Sequence, residues 1–144
     1  MISVENALET LFQLSRPMGT EVVPLEHAHK RVLAKNAIAQ RNQPPFPSSA
    51  MDGYAISDID AGPGATFDVI GEAAAGHHFS GSVKLEQAVR IFTGAPLPSG
   101  AKRVIIQEDV QRSANQITLG KNITTSDFIR PTGSDFSVGH KITA

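Results

Sequence analysis

The stretch "AVRIFTGAPLPSGAKRVIIQEDV", residues 88–110, carries the pattern from which the architecture is read. Two short runs rich in Val, Ile and Phe are held apart by a segment in which glycine and proline break any regular structure. A helix needs a longer uninterrupted period, so the runs read as strands. The same texture holds from Arg41 onward, with most of the 12 Gly and 9 Pro of the chain falling in 44–100 and punctuating short runs such as "YAIS", "ATFDVIGE", "AVRIF" and "RVIIQEDV". This spacing predicts many short strands in a β-rich, barrel-like or sandwich body. "SANQITLG", 113–120, reads as a hairpin turning near Ala114-Asn115, without the Asn-Gly or Asp-Gly that would mark the turn strongly. The tail "SDFIRPTGSDFSVGHKITA" repeats strand, turn, strand, and stops inside an apolar-alternating segment, which suggests part of a longer protein.

The N-terminal end is different. Ser3 is placed to cap a helix, and Val4, Ala7, Leu8, Leu11, Phe12 and Leu14 recur at helical spacing, so 4–15 is expected to be an amphipathic helix ended by Arg16-Pro17. The following "TEVVPLEHAHKRVLAKNAIAQ" reads as a strand that turns at Pro24 into a short helical piece around 26–32 and becomes extended again over 32–39. The fold class is therefore α+β and β-rich, with an N-terminal helix and an extended segment carrying the β body.

Composition narrows the function. With 40% hydrophobic and 19% charged residues over 144 positions, the chain is globular and long enough to bury a core of its own. A net charge of −1 and the absence of any Lys/Arg stripe argue against nucleic acid as a partner. There is no cysteine, which excludes disulfides, thiolate metal sites and thiol catalysis. No apolar run reaches the ~20 residues of a membrane span, and the first residues carry acids where a secretory signal carries bases. A cytoplasmic location is expected.

Four stretches could carry chemistry. In "PPFPSSAMDGYAIS", 44–57, Pro44, Pro45 and Pro47 stiffen a loop that delivers Asp52, with Gly53 directly behind it. Gly53 permits a positive φ or a close approach to a ligand. An Asp-Gly turn capping its own backbone is the plainer reading. In "RIFTGAPLPSG", 90–100, Thr93 with the amides of Gly94 and Ala95 would form a nest of donors for an oxyanion, where an ordinary turn is the alternative. Glu108 and Asp109 end an apolar strand and could hold Mg²⁺, or could simply be a solvated strand end. Arg130 and Asp135 face each other across a Pro-Thr-Gly turn, where an ion pair fixing the turn is the simpler account. His27 and His29, and His77-His78, lack the converging partners that metal sites need.

Taken together, "SAMDGYA", "GEAAAG", "RIFTGAPLPSGA", "IIQEDV" and "IRPTGSDFSVG", in this order and at these separations, resemble the N-terminal half of the molybdopterin molybdenumtransferases, the MoeA and gephyrin E-domain family. The resemblance spans essentially the whole chain. It implies an enzyme that uses Mg²⁺ and molybdate to convert adenylylated molybdopterin into the molybdenum cofactor with release of AMP, working as a homodimer of four-domain subunits. It implies that 43–131 is the β-rich domain, carried on 1–42 together with 132–144, and that a molybdopterin-binding α/β domain lies outside these residues. The active cleft is then shared between the β-rich domain of one subunit and the α/β domain of the other. Residue by residue, it puts Asp52 and Thr93 at functional positions, taken as catalytic, and matches Arg130 and Asp135 to the family's late motif. Joined to the reading of the residues above, the candidates for the metal are Asp52, Glu108 and Asp109, and those for substrate binding are Ser49, Gly53, Gly94, Ala95, Arg130 and Asp135. The chain departs from the family pattern at Pro47, Ser48, Thr132 and Ser134. The rival reading from the same resemblance is a scaffold or dimerisation module of the same fold.

Overall fold

The computed structural model describes residues 2–16 and 18–144. Within it the chain divides into two compact units, one of 1–37 with 142–144 and one of 38–141.

The first unit holds the expected helix, α1 (Val4–Leu14), whose N-terminus is capped by Ser3 accepting from the amide of Asn6 at 3.2 Å. The helix ends at Leu14 with Ser15 as its C-cap, and Pro17, the expected stop, lies outside the described residues. None of its residues is buried within this chain. The strand expected just before Pro24 does not form. Leu25–His27 makes one 3₁₀ turn, and of the extended stretch expected over 32–39 only Ala37–Ile38 is paired. An Arg31–Glu21 ion pair joins the two ends of this irregular stretch.

The second unit is all β. Its strands are β1 (Ala37–Ile38, which straddles the boundary), β2 (Ser48–Ser49), β3 (Gly53–Ile56), β4 (Thr66–Ala73), β5 (Gln87–Ile91), β6 (Arg103–Ile106), β7 (Val110–Ser113), β8 (Gln116–Leu119), β9 (Ile129–Arg130) and β10 (Lys141–Ile142). Six of them form one sheet in the order β6-β3-β5-β4-β8-β7, while β1 pairs with β10 and β2 with β9. The six-stranded sheet curls into a half-barrel, as the β-rich reading anticipates. All its pairings are antiparallel except β4 with β5.

Alternation along the strands divides the core in two, because successive side chains leave opposite faces. Tyr54, Ile56, Phe67, Ala88, Ile105, Ile117 and Leu119 fill one cluster. Ala55, Val83, Val89, Ile91, Ala95 and Val104 fill the other. A register shift between Val69 and Gly71 explains how β4 serves both: Phe67 enters the first cluster and Ala73 the second, since one inserted residue reverses the phase. Both faces of β3 are covered, and all four of its residues are buried.

The β7–β8 hairpin turns at Ala114-Asn115 as expected, with Ser113 opposite Gln116 and Ala114 at φ 51°. That is the left-handed region, where a Cβ costs about 1–2 kcal/mol. Ala114→Gly should therefore raise the unfolding free energy by about 0.5–1 kcal/mol, read as a higher urea midpoint at constant slope.

Candidate functional site around Asp52 and Thr93

The loop that presents Asp52 is clamped on two sides by backbone. On one side the Ser49 amide donates to Ala95 O at 3.0 Å, the Gly94 amide to Ser49 O at 2.9 Å, and the Leu97 amide to Pro47 O at 2.9 Å. On the other, Ser48 and Ser49 pair with Arg130 and Ile129, and the Ala50 amide donates to Phe128 O at 2.8 Å. Three of the four stretches singled out in the sequence thus meet at one place. The fourth joins through the Gln107 amide, which donates to Asp52 O at 3.1 Å.

At the centre, Asp52 Oδ1 accepts from both the backbone amide and the hydroxyl of Thr93, each at 2.8 Å. Among the described residues no donor bonds Oδ2. Asp52 is partly exposed and Thr93 exposed. The Thr93 amide, then its hydroxyl, hold the carboxyl below its ordinary pKa, with the Arg90 charge adding to them and partial desolvation opposing them. A group whose pKa is lowered on folding stabilises the fold fully above its unfolded value, 3.8, and loses that contribution as pH falls through the lower folded value. Thr93→Val removes one of the two donors. It should raise the Asp52 pKa and move the acid-unfolding midpoint to higher pH, both measurable by carboxyl-carbon NMR titration.

Other expected site residues take different parts. The nest of free donors at 93–95 does not form: the Thr93 amide serves Asp52, the Gly94 amide Ser49 O, and the Ala95 amide Phe92 O. Thr93 sits on the Asp52 carboxylate, with its amide and its hydroxyl both donating to Oδ1. Gly53 has no positive φ, and the close approach it permits is to the neighbouring strand: a Cβ there would stand 2.0 Å from Ile105 O. Ser49 and Ala95 are fully buried, with Ser49 Oγ donating to Met51 O at 2.6 Å. These three residues build the rim from behind. Gly94 is exposed at φ 80°. Arg130 and Asp135 form the ion pair across their turn at 2.5 Å, each side chain a little under half exposed.

The three candidate metal acids do not form one cluster. Glu108 and Asp109 belong to a 3₁₀ turn, Gln107–Asp109. Glu108 accepts from Gln107 Nε2 at 3.2 Å and Asp109 from the Thr124 amide at 3.4 Å. Both line an open cavity of about 290 Å³ with Lys121 and Asn122, which Asp52 does not reach. Among the described residues no three His, Asp or Glu side chains converge. Mg²⁺ nonetheless is commonly held by one or two carboxylates plus substrate phosphates, and Asp52, with Oδ1 anchored and Oδ2 open, fits that use.

Arg90 and Gln107 were not among the expected site residues, yet both touch the frame of Asp52. Arg90 donates to Gly53 O at 3.1 Å and to Gln107 Oε1 at 2.7 Å. The available signal was a charge breaking the apolar run "AVRIF" immediately before the Thr-Gly-Ala-Pro turn.

Comparison with known proteins bears on the family and the fold. Residues 2–144 match the family described as MoeA N-terminal region (domain I and II). A molybdopterin molybdenumtransferase of Haemophilus influenzae is 34% identical over 145 residues, covering 99% of this chain and 34% of the relative. One from Nostoc sp. is 30% identical over 151 residues, covering 99% and 35%. The crystal structure of a molybdopterin biosynthesis moeA protein from Pyrococcus horikoshii OT3 superposes with a TM-score of 0.80 at 33% identity, over 94% of this chain and 38% of that one. The chain thus spans about a third of the length of the relatives it matches. No helix among the described residues is long and apolar enough to cross a membrane. The fold, the ordered motifs and a family match running from residue 2 to residue 144 lead to one conclusion: the chain belongs to the MoeA N-terminal family.

Proposed function

We propose that this chain is the N-terminal part of a molybdopterin molybdenumtransferase, whose whole protein inserts molybdate into adenylylated molybdopterin and releases AMP, in the cytoplasm and as a homodimer. The observation that carries the reading is the anchoring of Asp52 Oδ1 by two Thr93 donors while Oδ2 stays open on an exposed rim. Breaking a phosphoanhydride beside an oxyanion calls for charge stabilised on phosphate and molybdate oxygens by groups that need not reorganise. A carboxylate alone repels those anions, so Asp52 would meet that need through a cation held on its open oxygen. Like any ordinary carboxylate it is ionised at neutral pH, and the backbone bonds from 94–97 and 128–130 hold the loop that presents it.

Asp52 would be the carboxylate that holds Mg²⁺, which when bound neutralises charge across phosphate and molybdate oxygens. Thr93 holds that carboxylate in one orientation. Arg130 and Asp135, paired in their turn, would act at the edge of the substrate site and not on the reacting bond. The pterin-binding wall would come from the α/β domain of the partner subunit.

The test is turnover by the full-length protein given molybdate, Mg²⁺ and adenylylated molybdopterin. AMP release coupled to cofactor formation is expected. Binding of the pterin nucleotide with no AMP released overturns the enzymatic reading in favour of a scaffold.

A further inference from the structure

The groups around Asp52 form a closed ring that runs through a residue with no place in the chemistry proposed above. Arg90 lies on β5 directly opposite Tyr54 of β3. One arm of its guanidinium donates to the carbonyl of Gly53, the residue after Asp52, at 3.1 Å. The other arm donates to Gln107 Oε1 at 2.7 Å. The amide of that same Gln107 donates to the carbonyl of Asp52 at 3.1 Å. Three hydrogen bonds therefore close a loop around the Asp52–Gly53 peptide, with Arg90 as the member that spans it.

The guanidinium is itself fixed. It stacks 4.6 Å from the Phe92 ring centroid and 5.2 Å from that of Tyr54, which holds the fork in the plane its two acceptors require. Tyr54 is buried in the first core cluster, which packs that ring from behind. Three residues further along the same strand end, Thr93 binds the Asp52 side chain. One short segment, 90–93, thus sets both the main chain and the carboxylate of Asp52.

We propose that Arg90 is a positioning residue for Asp52: it locks the Asp52–Gly53 peptide against Gln107 so that the carboxylate stays in register with the Thr93 amide and hydroxyl. The guanidinium does not touch the reacting groups. This proposal rests on the reading of Asp52 as the carboxylate that would hold Mg²⁺, and a local bond reports on it separately from activity.

The deciding measurement is hydrogen exchange at the Thr93 amide in the full-length protein, for wild type, Arg90→Met and Gln107→Ala. Methionine keeps an apolar stem beside the rings and removes both donors. With Arg90 in place, the Thr93 amide is protected by its charge-assisted bond to Oδ1. In Arg90→Met its exchange should rise by about tenfold or more, the factor one such bond is worth, while the β4 and β8 amides exchange as in wild type. Gln107→Ala should move Thr93 in the same direction by less. In the full-length enzyme, Arg90→Met should lower kcat by about 10–100-fold, as loss of a supporting partner does, with a smaller change in KM. Unchanged Thr93 exchange in Arg90→Met overturns the proposal. Should Arg90→Met unfold, Gln107→Ala decides alone, and wild-type exchange at Thr93 there overturns it too. A wild-type enzyme without turnover refutes the proposed function and leaves the exchange result standing on its own.

Discussion

Gly53→Ala is expected to destabilise the β unit by about 3–5 kcal/mol, at the upper end of what single substitutions do. Gly53 pairs with Ile91 on one side and Ile106 on the other, on a strand bonded along both edges. A Cβ added there would lie 2.0 Å from Ile105 O, 2.9 Å from its carbonyl carbon and 3.1 Å from Ile106 Cα. All three are backbone atoms of the paired strand, so no side-chain rotation relieves the clash. The strands β3 and β6 must separate, exposing both core clusters. Against a total stability of about 5–15 kcal/mol, such a loss is read easily in a urea titration. A midpoint equivalent to less than about 0.5 kcal/mol of change, the range of neutral surface substitutions, would show that the two strands are not held this close. Gly94→Ala is the contrast: its φ of 80° is strained for alanine, but its Cβ meets open space, so the cost is about 1–2 kcal/mol.

That pair of glycines shows where the sequence stops being informative. "MDGY" says that a residue without a side chain follows the acid, and both a turn and a close approach satisfy it. Which one holds is decided by Ile105, more than fifty positions away. The same is true of Thr93 to Ala95. A Thr-Gly-Ala-Pro segment is rich in donors on paper, but a donor's use depends on which carbonyl folds against it, and Ser49 O, Phe92 O and Asp52 Oδ1 take all three amides. By contrast, the runs that became β3 to β6 were legible because an apolar stretch bounded by Gly or Pro has few alternatives to a buried strand. Helix α1 was legible for a similar reason, since Ser3 and a helical apolar period point the same way.

The N-terminal stretch failed where the core strands succeeded. A strand exists only with a partner, and the valines of "TEVV" find none: Val22 is fully exposed. β-branched residues alone gave a propensity without a ladder. The parallel pairing of β4 with β5 was equally hidden, because the connection from Ala74 to Glu86 carries no helix to announce a crossover. The bulge at Val69/Gly71, which turns β4 from one cluster to the other, depends on that pairing.

Asp52→Asn in the full-length protein should lower kcat/KM for cofactor formation by about 10²–10³-fold, the range seen when one preorganised polar group is removed from a reacting centre. Asparagine keeps an Oδ1 that accepts from both Thr93 donors, so the loop geometry held by Ser49, Gly94 and Phe128 should survive. What changes is the other half of the side chain. Where the carboxylate presents an open, charged oxygen, the amide presents a neutral donor that repels a cation and cannot ligate it. The loss should therefore come with an unchanged sheet, seen as wild-type circular dichroism and urea slope, and with weakened Mg²⁺ dependence of the residual rate. Thr93→Ala should fall between the two, since the charge remains and only its orientation loosens. The ordering is the informative part. If Asp52→Asn retained activity within a factor of about ten while Thr93→Ala abolished it, the hydroxyl would be the group in contact with substrate, and Asp52 would be its support.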